Sequence, residues 1–532
     1  MAAAGPSLLQ PALPGDSGQP PWTLNLHFGP YLAAGLTAAG VVLGAAGLAL
    51  TLRAVRAGWT VHAWPVLLAG VLAAVVLGQL GPFGSSDFLS YAAYGRELVT
   101  GHNPYVITPA ALGRAGDPVA RAVGDWAGTP SVYGALANGV FGLASLAGGT
   151  SARLTVWLLD MVNAAAFVAT GLLLDRLTRR YAPPGNARAA RLRAALLWTG
   201  NPLLLQVLVA GAHVDALAIC FAVAGLAAAS LADGSGLRRG FALAAGALFG
   251  CGFAVKPTVA LVAAGAVAGG FGAGNGIRAA SRVWAGRRFW AGAAGFGMVA
   301  AVDLLLMGRA GIEDAVRASR MVSVGSPWRP VRSALSLTMP EPVADDIVRW
   351  CAIALLALLA WVWLRVALSR RLPQFATYPP IEHSPYSGRR RGLMDGAVVA
   401  LGALGAVLAW LIAWPYVLPW YDALGWALLP LPVSAPVSPA SPQASASQAG
   451  SANLAVSRSP VVLAERVMVL RTAMLALAYL PARSAGIVIP AGLRWMEPVL
   501  RSAVCPAVLA ALGLYLVAFL VRGGWPAEVN RA

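Results

Sequence analysis

The sequence predicts an all-α, polytopic integral membrane protein, and three observations carry that reading. Of 532 residues, 58% are apolar and only 11% charged, with a mean hydropathy of +0.68, whereas a soluble domain carries about 25% charged residues. Apolar runs near the length of a bilayer crossing, about 17 to 25 residues, recur along the chain. Sixty Gly and 37 Pro fit as well, because both are commoner in membrane helices than in soluble ones. An ordinary cytosolic enzyme is excluded.

Taken in order, the runs fall at 31–52, 61–80, 153–175, 194–212, 214–231, 240–256, 257–274, 289–308, 347–368, 393–413, 417–433, 467–482 and 503–521, about 13 crossings. Residues 1–30 open Pro/Gly-rich, without Lys or Arg in the first 22. The positive start of a cleaved signal peptide is missing there, and a disordered tail is expected. Residues 31–432 form the transmembrane core. The segment 433–459 is a Pro/Ser/Ala linker on the cytoplasmic side, too poor in large apolar residues to fold. A C-terminal pair of spans occupies 460–532.

Net charge is +18, and of 39 basic residues all but Lys256 are Arg. They cluster between apolar runs, which marks loop charge rather than a nucleic-acid footprint. With Arg53 and Arg56 inside, strict alternation also puts inside the clusters around Arg180, Arg238, Arg288, Arg390 and Arg522. This holds only if 131–149, apolar but containing Asn138 and five Gly, is interfacial or re-entrant. Two long polar loops, about 81–130 and 309–346, then face outward, and loops of this length are more often functional than idle. The four cysteines lie singly, with no CxxC spacing, so neither a disulfide framework nor a zinc site is indicated.

The loop after the second run, GPFGSSDFLSYAAYGRELVTGHNPY (81–105), is the richest in chemistry. Ser86 is placed to cap a helix from Asp87 to about Val99, ended by Gly101 and the Asn103-Pro104 turn. Asp87, Tyr91 and Tyr94 share one face of it. Asp87 either deprotonates a hydroxyl or only satisfies a helix N-terminus. Lys256, followed by Pro257, closes an apolar run at the outer end. Charges so placed face a partner or cavity, and a phosphate is a natural one; snorkelling is the alternative. In NPLLLQVLVAGAHVDAL, Asn201-Pro202 opens a span, and His213 and Asp215 close it outside. No HxxxH or HExxH pair occurs, so a metal site is not indicated there. Asp160, Asn163, Asp303 and Asp422 are further polar residues within spans, candidates for function by that placement. Arg309, Arg317, Arg320, Arg329 and Arg332 of the second outer loop suit an anionic head group. WPYVLPWYDALGW (414–426) reads as an aromatic belt or as a sugar groove.

These segments together resemble the actinobacterial polyprenol-phosphate-mannose-dependent α-(1→6)-mannopyranosyltransferases, membrane glycosyltransferases of the C superfamily (GT-C). The resemblance runs from about residue 60 to 430. Its most specific parts are SSDFLSYAAYGRELVTGHNPY, NPLLLQVLVAGAHVDAL, Lys256-Pro257 and PWYDALGW. It implies a GT-C fold, a multi-pass protein of the plasma membrane, and an active site on its outer face. It implies Asp87 as catalytic base, a polyprenyl-phosphate-mannose donor and an α-mannan or lipoglycan acceptor. Lys256, Arg320 and Arg329 are then expected at the donor phosphate. Tyr91, Tyr94, His102, Asn103, His213, Asp215, Trp420 and Tyr421 are expected around the sugars, with no metal or other cofactor. Two departures stand out. His213-Val214-Asp215 replaces the family's His-Asn-Asp, and Ser85-Ser86 precede a single Asp87 where some members of the superfamily pair two acids. A transporter or flippase for a polyprenol-linked sugar would use the same groups, and a non-catalytic scaffold of an envelope-glycan complex is a third reading.

Overall fold

The computed structural model describes residues 1–16, 18–182, 186–232, 238–272, 286–369, 387–432, 459–480 and 489–524. Within them the chain is a helical bundle whose β-structure is confined to isolated bridges, Ser7 to Gln10 and Trp22 to Leu80. The all-α expectation therefore holds. Among the described residues six helices are long and apolar enough to cross a membrane: Pro30–Arg56, Ala152–Tyr181, Ala187–Val209, Arg287–Ala318, Glu341–Arg365 and Ala491–Val521. Shorter apolar helices, such as Ala63–Gly78, Asp215–Leu231, Val259–Gly269 and Val398–Ala413, complete the bundle.

The count of about 13 spans needs revising most clearly at 417–433. There the chain forms a 3₁₀ turn, Pro419–Asp422, and a six-residue helix, Ala423–Leu428. Pro415, Pro419, Pro430 and Pro432 punctuate the segment, and each removes a backbone donor that a continuous helix requires. The linker 433–459 lies almost wholly outside the described residues.

Two ends of the bundle differ in chemistry. At one end Glu465 accepts from Arg56 at 2.6 Å and also pairs with Arg193, whose other nitrogen donates to the Leu429 carbonyl at 2.8 Å. Asp175, near the end of the Ala152–Tyr181 helix, pairs with Arg191 of the next helix, Ala187–Leu197, at 2.6 Å. At the other end lies the segment from Gly81 to Tyr133, with the start of the chain folded over it.

Within residues 1–30, expected as a disordered tail, the described residues 1–16 and 18–29 are held against the bundle. Leu9 is fully buried, and its carbonyl accepts from the Gly84 N–H at 2.7 Å. Trp22 N–H donates to Gln79 O at 2.8 Å, and Arg153 holds the carbonyls of Gln19 and Pro21. Composition bars this stretch from forming a long helix, but its backbone groups find partners on the loops they cover.

The helix Ala135–Gly148 is braced near both ends: Gly134 packs against the Ala254 carbonyl, two residues from Lys256, and just beyond the far end the Ser151 hydroxyl donates to Gln19 of the N-terminal segment. Asp303 explains its own burial here: its carboxylate accepts the Ala135 N–H at 2.6 Å, capping this helix.

Candidate active site

The Asp87–Val99 helix begins where expected, but Ser86 makes no side-chain cap; the Ser85 hydroxyl accepts the Asp87 N–H at 3.2 Å instead. Gly84, at φ +88°, turns the chain into this start, a conformation open to glycine at little cost. Gly95 lets the helix lie directly on the carbonyl of Phe141 in the Ala135–Gly148 helix, leaving no room for a Cβ.

A chamber of about 470 Å³ opens above Asp87, within the usual range for small-ligand sites. Its floor carries Ser85, Ser86, Asp87 and Ser90, and its walls Tyr91, Tyr94, Tyr133, Tyr416, Trp420 and Tyr421. The rings are braced: Tyr91 stacks on Phe141 at 5.0 Å and meets Tyr133 edge-on at 5.2 Å, while the Tyr94 hydroxyl donates to Thr129 O at 3.0 Å. Ordered aromatics with polar tips suit a polyol that needs both C–H packing and hydrogen bonds.

Asp87 is held loosely. Its carboxylate lies 3.7 Å from His213 Nδ1, beyond hydrogen-bond range. The His213 ring stacks on Trp420 with centroids 3.6 Å apart. Burial pushes the Asp87 carboxyl up from 3.8 to about 6; the Lys256 cation and a hydrogen bond from the Ser85 side chain oppose this, and the charges of Asp215 and Asp125 add to it. A carboxyl near 6 is ionised at neutral pH yet a stronger base than an ordinary one.

Lys256 Nζ bonds Asp215 at 2.6 Å and sits 4.1 Å over the ring of Tyr421, and it is not itself among the residues lining the chamber. Arg320 faces Asp346 at 3.9 Å on the half-exposed surface, and neither it nor Arg329 is among the lining residues. The lining cations are Arg317, which pairs with Asp314 of the same wall at 2.5 Å, and Arg501. His102 bonds Thr100, and Asn103 accepts the Tyr105 N–H; both build the turn that ends the Asp87 helix and stay outside the chamber. Asn201 caps the Pro202 turn by accepting the Leu203 N–H at 3.0 Å, and Asn163 donates to the carbonyl of Ala212, next to His213.

Sequence reasoning missed Asp125, Trp126, Tyr133, Tyr479 and Arg501, all of which line the chamber. Tyr479 and Arg501 come from beyond the low-complexity linker, where nothing local ties them to Asp87. Their segment is anchored by Arg471, bonded to Asp422 at 2.8 Å, and by Thr472, which donates to the same carboxylate at 2.8 Å. Among the described residues no group of three or more His, Cys, Asp or Glu side chains is arranged to hold a metal ion.

The fold and the site define the class as a polytopic helical membrane protein with a carboxylate-floored, aromatic-walled chamber at one end of its bundle. The family is more definite: residues 2–270 match the family model described as alpha-(1→6)-mannopyranosyltransferase, N-terminal domain, and the chain belongs to that family. Comparison with curated proteins gave no match. Among solved structures the chain is similar to the Archaeoglobus fulgidus oligosaccharyltransferase AglB in complex with an inhibitory peptide and a dolichol-phosphate. That likeness has 14% identity and a TM-score of 0.35, covering 88% of this chain and 56% of that one. A second oligosaccharyltransferase structure from the same organism, in complex with Zn and sulfate, matches at 15% identity and a TM-score of 0.31, covering 70% and 54%. The chain thus spans little more than half the length of these structures.

Proposed function

We propose that this protein transfers mannose from a polyprenyl-phosphate-mannose donor to an α-mannan or lipoglycan acceptor at the outer face of the plasma membrane, forming an α-(1→6) linkage. The observation that carries the reading is Asp87, a raised carboxyl on the floor of an aromatic chamber in a chain of a mannosyltransferase family. Asp87 accepts the proton of the acceptor 6-hydroxyl as its oxygen attacks the anomeric carbon. The bond from that carbon to the phosphate oxygen breaks in the same displacement, the polyprenyl phosphate leaves with the electron pair, and the anomeric centre inverts. Arg317 and Arg501 on the chamber wall meet the phosphate charge. Lys256, held by Asp215, tunes Asp87 through its field rather than by touching the phosphate.

No metal takes part in this scheme, because the leaving phosphate is met by guanidinium groups. The test is mannosyl transfer by the purified full chain in detergent, wild type beside Asp87→Asn, with and without a chelator. Transfer falls by about a hundredfold or more in the variant, the usual scale for a lost general base, and the wild type resists the chelator. Undiminished transfer by Asp87→Asn removes Asp87 as the base. Chelator-sensitive transfer brings a metal into the mechanism.

A further inference from the structure

The chamber has two unlike walls. Arg317 and Arg501 stand on the wall formed by the second outer loop and the C-terminal segment, where Arg317 pairs with the Asp314 carboxylate, whereas the wall between residues 115 and 134 contributes Asp125, Trp126, Thr129, Val132 and Tyr133 and no lysine or arginine. Two cations against one carboxylate leave the first wall positive and draw an anion to it; the second adds a carboxylate and no cation and repels one. The second is the place for a neutral sugar.

Trp126 gives that wall its character. It sits at φ +67°, in the left-handed region where a bulky side chain is a genuine outlier. Gly124 and Gly128 flank it, and neither adopts a positive φ, so the chain spends its strained position on a tryptophan with glycines on either side. The conformation is fixed from several directions. Trp126 O accepts the Thr129 N–H at 2.9 Å, Ala110 N–H donates to Ala127 O at 2.7 Å, and Tyr94 ties Thr129 to the Asp87 helix. The indole is 38% exposed and lines the cavity. Strain of this kind collects at ligand clamps, where the surroundings over-determine it.

We propose that Trp126 is the stacking platform for the acceptor sugar, holding its C–H face while Asp125 receives a hydroxyl, so that the attacking oxygen is presented to Asp87. This rests on the transferase reading and adds the subsite that selects the acceptor. The adjacency is electrostatic as well as spatial, since Asp125 is one of the charges felt by Asp87.

The test uses the full chain and an α-mannoside oligosaccharide. Trp126→Gly removes the indole and leaves glycine in a conformation it adopts freely. The acceptor KM rises by about tenfold or more, the scale of one lost aromatic contact. The donor KM stays within about twofold, since no donor contact is touched, and the thermal midpoint stays level or rises. Trp126→Phe recovers most of the acceptor affinity. Saturation-transfer NMR of the free oligosaccharide reads the same subsite without turnover, and its signal is lost in Trp126→Gly. An unchanged acceptor KM or an unchanged NMR signal in that variant overturns the proposal, as does a rise confined to the donor KM. A wild type that binds the oligosaccharide through Trp126 yet transfers nothing condemns the transferase reading and leaves the subsite standing.

Discussion

Two buried carboxylates in this chain are held in opposite ways. Asp422 is fully buried and saturated: Arg471 and Thr472 both bond it at 2.8 Å, and Thr472 also receives the Trp426 indole N–H at 2.9 Å. Asp87 keeps 16% of its side chain exposed to the chamber, with His213 at 3.7 Å and out of bonding range. Saturated, an acid is part of the scaffold, because its charge is neutralised and its lone pairs are occupied. Left open beside a cavity, it has a lone pair to offer and an environment that makes it a better base. The first arrangement stabilises the fold, and the second spends stability on reactivity.

The largest effect that separates them is on folding. Arg471→Met leaves Asp422 as an uncompensated buried charge, and breaking such a pair costs about 3–5 kcal/mol. Purified variant should lose much of its thermal resistance and the C-terminal contribution of Tyr479 and Arg501 to the chamber. A variant of wild-type stability would make Asp422 and Arg471 dispensable and weaken the comparison. Asp87→Asn should move stability in the opposite direction. The folded carboxyl titrates at about 6 against 3.8 when unfolded, so ionisation is harder in the folded state. Stability is therefore lost as pH rises through this interval, and the loss is complete above it. Replacing the acid with a neutral amide should raise the thermal midpoint at neutral pH and leave it unchanged near pH 4. Scans of both proteins at the two pH values decide it.

How much of this was legible in the sequence depends on the distance between partners. The Asp87–Val99 helix and the start of a helix at Asn201-Pro202 were readable, because each rests on short spacings. Partners far apart in sequence were not. Arg471 reads as an interruption of an apolar run until Asp422, 49 residues away, is seen beside it. Lys256 and Asp215 were both placed at the outer end, but nothing local says that they bond each other rather than a substrate. In the N-terminal segment, composition pointed to a disordered tail over residues 1–30. It is silent on whether Leu9 finds the Gly84 N–H. Trp126 carries no signal at all, since a backbone angle of +67° is visible only in three dimensions.

Lys256 offers the smallest and sharpest test of the contrast, because it acts on the open acid through space. Its cation is the largest influence opposing the burial of Asp87. In Lys256→Met the acidic limb of the transfer-rate profile, expected near pH 6 in the wild type, should move to higher pH. The sign survives the loss of the partner. If Asp215 stays ionised, its unpaired charge raises Asp87 further; if it takes up a proton, the influence removed is smaller than that of Lys256. Either way, plateau activity at high pH should fall less than activity near pH 6. A uniform fall at every pH, with a raised donor KM, would instead place Lys256 on the donor phosphate and reopen the assignment of the two arginines.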